Sequence, residues 1–483
     1  MNPKYNIPCF KTLKIHFDKY LNESFVNLKE LLSKIKNFSI TLDLWSSLAK
    51  DHYIVYTIHY IIDYKIYHRV LKCESLDFIH ISFERIEEQL KELFEEYNLK
   101  KSDCVMITTD AGGNVKKAIE SFGLSNLHCL GHNINLTVND SLDIINLLRI
   151  KVKRIVQLFN QSNVALNTLK KIQKNDNLIN DFQNHIYVLI NEVSTRWNST
   201  FYMLDRILLL YDNINLAIES LKDYDDLLLS NNEIKLIEEV CKILKPLDEA
   251  TKILSGDNYP TLSLVIPTIK FLILQISEIS LSLELSIKFK NSILNSLNSR
   301  FNETFQNEIA IISTFLNPIF KELLFLNENE KENVLKKIKI LLKENNNNNE
   351  NNNNNENNNN NNNNNKNNNN KNNNIYNFFK NYNGIKKELK IKNEDDEIKN
   401  YMNYNILENE FDDNNILTFW ERNKKIFPLL NNLIEKYMCV PATSTSSERA
   451  FSCMGRIIIK TRVNLHPKTA GGLLFLKENT DLW

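Results

Sequence analysis

The sequence predicts an α/β core that is interrupted by a large all-helical insertion and completed by helices from the C-terminal end. Three observations carry that expectation. Short runs rich in Ile, Val, Tyr and Thr dominate the chain before Asp110. Beyond residue 145 those runs stop and helical periodicity takes over. From Asn345 to Asn374 the chain is almost pure asparagine, and apolar residues return in a regular pattern only after residue 400.

Taken in order, the first β-prone run is Phe38-Ser39-Ile40-Thr41-Leu42-Asp43-Leu44-Trp45. Tyr53 to Ile62 and Lys65 to Leu76 continue in the same style after short breaks, which reads as a meander of three strands. From Ser82 to Tyr97 the period changes, with Ile86, Leu90, Leu93, Phe94 and Tyr97 at helical spacing. Cys104 to Thr109 is a buried-looking strand that ends at Asp110, and a helix is expected from Asn114 to Ser121. Another helix starts near His132, with Ile134, Val138, Leu142 and Ile145 on one face. The order β-β-β-α-β-α is that of the ribonuclease H arrangement.

The expected organisation is a helical lead-in (1–34), the first part of a ribonuclease-H-like core (35–145) and a helical insertion (146–344). A disordered asparagine loop (345–374), a linker or helical stretch (375–410) and a C-terminal region that completes the core (411–483) follow. The asparagine tract has too little apolar surface to offset the entropy of ordering it. Near the end, Trp420, Phe427, Leu430 and Leu433 to Tyr437 suit an amphipathic helix, Pro441 breaks it, and Thr445 to Ile459 reads as a second one.

Lys plus Arg and Asp plus Glu are both 59, so net charge offers no support for a polyanionic partner, and only local patches could supply it. The seven cysteines are scattered without a C-x-x-C pair, so neither a disulfide framework nor a zinc finger is encoded and no zinc is expected. The most apolar stretch, Thr261 to Leu283, contains Pro267, Lys270 and Glu278, unlike a membrane span. The N-terminus lacks the charged and apolar regions of a signal peptide.

Asp43 and Asp110 each close a β-run, and in the ribonuclease H arrangement those two strands are neighbours. Two carboxylates brought together are hard-oxygen ligands for a pair of Mg²⁺ or Mn²⁺ ions, which suits in-line phosphoryl displacement. Glu448 is the candidate third acid. It also completes a capping box, Thr445-Ser446-Ser447-Glu448, and an acid in a first helical turn is favoured in its ionised form.

The residues around these acids resemble motifs of the hAT transposase family. They are Thr41-Leu42-Asp43-Leu44-Trp45-Ser46-Ser47, Thr109-Asp110-Ala111-Gly112-Gly113-Asn114 and the C-x-x-H of Cys129 to His132. Thr195-Arg196-Trp197-Asn198-Ser199-Thr200 and Ser447-Glu448-Arg449-Ala450-Phe451-Ser452 follow in the family's order. The resemblance runs over nearly the whole chain from about residue 35.

It implies that Asp43, Asp110 and Glu448 are the metal-binding catalytic acids, with Asn114, Cys129 and His132 beside the active site. It implies that Arg196 and Trp197 hold a flipped base, a role an indole face suits. Arg456, Lys460, Arg462 and Lys468 are candidate phosphate contacts near the third acid. Trp420, Phe427, Phe451, Leu474 and Phe475 belong to the family's C-terminal dimerisation region. A DNA substrate, a homo-oligomer and a nuclear location follow from the same resemblance, with no membrane.

Arg149, Lys151, Lys153 and Arg154 form a further basic cluster for which a solvated helix face is at least as good a reading. Against the family pattern, Ala111 stands where Asn is usual, and Leu316-Asn317-Pro318 replaces Leu-Asp-Pro. Cys9 and His16 are too few for the family's N-terminal BED zinc finger, so that module is expected to be missing. Two function classes stay open: a metal-dependent DNA strand-transfer enzyme, and a catalytically silent DNA-binding and dimerisation protein on the same fold. A general nuclease of this fold fits the C-terminal motifs less well.

Overall fold

A computed structural model describes residues 8–46, 52–76, 82–110, 112–175, 186–193, 195–221, 223–350, 394–405, 416–458 and 465–482. The chain divides into two compact units. One comprises Met1–Gly131, Ile253–Pro267 and Gln306–Trp483, the other His132–Lys252 and Thr268–Phe305.

The first unit is built on a five-stranded mixed sheet. β1 (Phe38–Ser46), β2 (His52–Ile62) and β3 (Lys65–Leu76) form the expected antiparallel meander. β2 and β3 are joined by Asp63 and Tyr64 alone, both with positive φ, the two-residue geometry that matches strand twist. β4 (Cys104–Thr109) pairs parallel to the other edge of β1, and β5 (Asn126–His128) parallel to β4, giving the order β3-β2-β1-β4-β5. With three residues, β5 is too short to leave a periodic signal, and the sequence did not reveal it.

Strand alternation sends two sets of side chains to two cores. Ile40, Leu42, Ile54, Tyr56, Ile58 and Tyr60 join a cluster with three helices, α1 (Phe10–Leu32), α2 (Phe83–Glu96) and α3 (Gly113–Ser121). On α2 the buried Ile86, Leu90, Leu93 and Phe94 follow the i, i+4, i+7, i+8 pattern that a single apolar stripe requires. The opposite face, with Tyr53, Val55 and Val70, is covered from the far end of the chain.

The second unit is helical among its described residues. Its elements are α4 (Leu130–Leu142), α5 (Asn146–Gln161), α6 (Asn163–Asn175), α7 (Trp197–Leu209), α8 (Tyr211–Leu221), α9 (Asn231–Leu254), α10 (Leu262–Glu278) and α11 (Glu284–Gln306). Glu239 of α9 is buried yet satisfied, accepting from Ser282 N at 2.8 Å and Leu283 N at 3.2 Å at the start of α11. The stretch 146–344 expected as one insertion is thus divided, since 253–267 and everything from 306 group with the sheet.

The remaining helices are α12 (Glu308–Phe315), α13 (Glu328–Glu350), α14 (Glu394–Asn403), α15 (Ile416–Asn423), α16 (Pro428–Asn431), α17 (Ile434–Met438), α18 (Thr445–Ile457) and α19 (Pro467–Glu478). α13 runs into the first asparagines, and the rest of the tract, with 375–393, lies outside the described residues. The single helix expected from Trp420 to Tyr437 is three short ones. Pro428, which has no N–H to continue a preceding helix, opens the second at its N-terminal position.

α18 and α19 cover the second face of the sheet. Ala450, Phe451, Cys453 and Met454 of α18, with Ala470 and Leu474 of α19, pack against Tyr53, Val55 and Val70. Gly471 lets α19 approach β3 closely, because a Cβ there would overlap the Cys73 carbonyl oxygen. Trp420, Phe427, Phe451, Leu474 and Phe475 are 0%, 0%, 5%, 0% and 5% exposed, so their apolar surface is spent inside the chain. Trp420 donates its indole N–H to the Leu316 carbonyl at 2.9 Å and sits among Tyr401, Phe419 and Phe427. A motif rich in aromatics reports burial, and cannot say whether the burying surface belongs to the same chain.

Candidate active site

The parallel pairing of β1 and β4 sets the geometry. Its last registered pair is Leu42 with Thr109, so the next residues along, Asp43 and Asp110, follow side by side where that pairing ends, with Asp43 still paired to Val55 of β2. Asp110 lies within hydrogen-bonding reach of the Asp43 carboxyl. Asp43 is 4% exposed and also accepts from the Leu44 N–H at 2.8 Å. Burial, then the hydrogen bond and charge of Asp110, push the Asp43 carboxyl well above the usual carboxylate range, and the charge of Glu448 adds to the effect. The three acids that the sequence singles out are therefore brought into one neighbourhood.

Two adjacent carboxylates are a donor pair of the kind that Mg²⁺ or Mn²⁺ takes. Among the described residues no group of three His, Cys, Asp or Glu side chains is close enough together to hold a metal ion. Glu448 is near enough for its charge to act on Asp43. Its helix, α18, begins after Ser444, and no side chain caps it. The expected capping box does not form: the hydroxyl of Thr445, at the first helical position, pairs with that of Thr443 at 2.8 Å.

What positions α18 is a seam of buried polar groups that the sequence reading missed. On β1 the side chains of Ser39, Thr41, Asp43 and Trp45 alternate with the apolar Ile40, Leu42 and Leu44. Three of them meet a residue on α18 or on the segment before it. Ser39 donates to the Cys439 carbonyl at 2.8 Å, Ser447 donates to Thr41 at 2.8 Å, and Trp45 stacks on Phe451 at 5.7 Å. Thr108 of β4 donates to the Pro441 carbonyl at 3.0 Å. Ser39, Thr41, Thr108 and Ser447 are each 0% exposed. The available signal was a strand whose polar positions are all small hydroxyl residues or Asp, because polar groups on a fully covered face need partners.

Cys129 is 1% exposed and accepts from the Ser444 N–H at 3.4 Å, while Leu130 N donates to the Ala442 carbonyl at 3.0 Å. The first half of the C-x-x-H motif therefore holds the segment that leads into α18. His132 is half-buried, and Asn114 is exposed in the first turn of α3. Arg449, next to Glu448, pairs with Asp257 and donates to the Ser255 carbonyl at 3.1 Å.

The candidate nucleic-acid residues divide. Arg456 and Lys468 are exposed, whereas Lys460 and Arg462 lie outside the described residues, as does Ala111. Arg196 is exposed just before α7. Trp197 is 3% exposed, a core tryptophan in this structure whose ring would have to be uncovered to stack on a base. The cluster on α5 is committed to ion pairs: Arg149 with Glu192 at 2.7 Å, Lys151 with Glu233 at 2.9 Å, Lys153 with Glu192, and Arg154 with Asp226 at 2.7 Å. Among the described residues no helix is long and apolar enough to cross a membrane.

Comparison with known proteins fits this layout. The family model for the hAT family C-terminal dimerisation region matches residues 397–480, and the model for the ZBED1 RNase-like helical domain matches 127–243. A putative AC transposase of Zea mays is 24% identical over 98% of this chain and 62% of its own length. Zinc finger BED domain-containing protein 4 of Homo sapiens is 22% identical over the whole chain and 41% of its own length. The transposable element Hobo transposase of Drosophila melanogaster is 27% identical over 48% of the chain and 33% of its own length. The chain spans less than two thirds of each of these relatives.

Proposed function

Because this chain belongs to the hAT transposase family, we propose that it cleaves DNA strands and joins the freed 3′-hydroxyl to a target by metal-assisted phosphoryl transfer. The observation that carries this is the parallel β1–β4 register, which sets Asp43 beside Asp110 where the pairing of those two strands ends. The strand order, a three-stranded meander followed by two parallel strands, is that of ribonuclease H and supports the same reading.

Asp43 and Asp110 would hold Mg²⁺ or Mn²⁺, and Glu448 would complete the set from the first turn of α18. When bound, such ions neutralise charge on the phosphate and activate the attacking oxygen. The chain's own contribution is positioning. Asp43 is held within β1 and Asp110 follows the end of β4, Asp43 is sheltered from water, and α18, which carries Glu448, packs on the same face of the sheet. Arg456 and Lys468, exposed on α18 and α19, are available for phosphate contacts. The C-terminal dimerisation region supports self-association, and a DNA substrate would place the working protein in the nucleus.

The test is Mn²⁺-dependent nicking of a long labelled duplex at low salt, where phosphate contacts are strongest. Wild type should nick it, and Asp43→Asn and Asp110→Asn should lose the activity while still binding DNA. A second reading, a binding and dimerisation protein without cleavage, is favoured by the one feature that Glu448 is not grouped with the aspartates as a ligand. Equal behaviour of wild type and both variants, in folded DNA-bound protein, would establish that reading instead.

A further inference from the structure

We propose that a closed cluster of three hydroxyls and one imidazole, Thr41, Ser446, Ser447 and His59, is the positioning device that sets how far Glu448 can reach towards Asp43 and Asp110. This rests on the proposed metal site. Thr41 Oγ1 lies 3.1 Å from His59 Nε2 and 3.1 Å from Ser446 Oγ, and it accepts from Ser447 at 2.8 Å. Ser446 Oγ closes the ring at 3.2 Å from His59 Nε2. Three elements thus meet in one buried knot: β1 at Thr41, β2 at His59 and, from far along the chain, the first turn of α18 at Ser446 and Ser447.

The placement of the knot is what matters. Thr41 is two residues before Asp43 on the same face of β1, and Ser447 directly precedes Glu448. A shift of α18 along or away from β1 moves the Glu448 backbone by the same amount. The four groups are 0–8% exposed, so a slipped helix would leave several of them without partners, and water could not replace the lost bonds cheaply. Apolar contacts elsewhere on α18, such as Phe451 on Trp45, tolerate small sliding because dispersion is not directional. Hydrogen bonds among short side chains do not. The knot therefore supplies register, where the apolar contacts supply adhesion.

None of the four groups need touch a metal or DNA for this role, which makes all four positioning residues. Thr41→Val keeps the shape of the side chain and removes the shared hydroxyl. Thr41→Ser keeps the hydroxyl. Mn²⁺ binding to the full-length chain, measured by titration calorimetry without DNA, reads the effect directly. Far-UV circular dichroism confirms that each variant is folded.

Thr41→Val should weaken Mn²⁺ binding roughly tenfold, as loss of support behind a metal ligand commonly does, and Thr41→Ser should restore it. Glu448→Gln should weaken binding by a comparable factor. The double variant Thr41→Val/Glu448→Gln should be no weaker than Glu448→Gln alone, because both changes remove the same contribution. Additive losses, or a Thr41→Val protein that binds Mn²⁺ like wild type, would overturn the positioning role and leave the metal site standing. Wild type that binds no Mn²⁺, or binds it equally well as Asp43→Asn, would overturn the metal site and this inference with it.

Discussion

Trp420 separates a core residue from an interface residue more sharply than any other position in the C-terminal region. Its side chain is 0% exposed, its indole N–H is bonded to the Leu316 carbonyl, and its ring centre lies 5.2 Å from that of Tyr401 and 5.5 Å from that of Phe419. Trp420→Phe keeps one aromatic ring and removes the donor. Stripping the donor from a buried carbonyl costs about 1–3 kcal/mol. The space left by the smaller ring adds about 1–2 kcal/mol, since the surroundings relax only in part. The expected loss of folding stability is therefore about 2–4 kcal/mol.

The assay is urea denaturation followed by circular dichroism, with the dimer dissociation constant measured by sedimentation on the same variant. A core residue lowers the urea midpoint and leaves the dissociation constant of the folded protein unchanged. An unchanged midpoint together with a weakened dimer would refute the assignment, and would return Trp420 to the interface that the family resemblance suggested.

Two glycines on neighbouring helices should respond with opposite signs. Gly471→Ala, which drives a Cβ into the Cys73 carbonyl, should cost about 1–3 kcal/mol through displaced backbone. Gly455→Ala, in α18 with nothing near its missing Cβ, should gain about 0.5–1 kcal/mol by restricting the unfolded chain, and thermal melts read both. His59 supplies a pH dependence. Burial, and then the nearby His68, push its imidazole down to about 3, below its unfolded value. The stability it contributes is thus complete above about pH 6.5 and is lost as pH falls towards 3. His68 and Asp257 line the same small pocket, so urea midpoints at pH 7 and pH 5 should be compared in wild type and His59→Gln, and the variant should show the smaller drop. Loss of Mn²⁺-dependent nicking in Asp110→Asn completes the set.

Most of the sheet unit was legible in the residues themselves. Strands and helices up to Ser121 leave local signals, because burying one face of a regular element imposes a period on consecutive residues. Asp43 and Asp110 could be paired from the order of the strands alone, and the surrounding motifs added Glu448. What the sequence could not decide is which distant surfaces meet. Ser39, Thr41 and His59 look like ordinary strand residues until segments some four hundred positions away supply their hydrogen-bond partners. Trp197 and Trp420 look like residues for a base and a dimer partner until the chain covers them with its own helices. Periodicity is a local property and survives in a single sequence. Burial by a particular neighbour depends on how the whole chain closes, so only the tertiary structure assigns it.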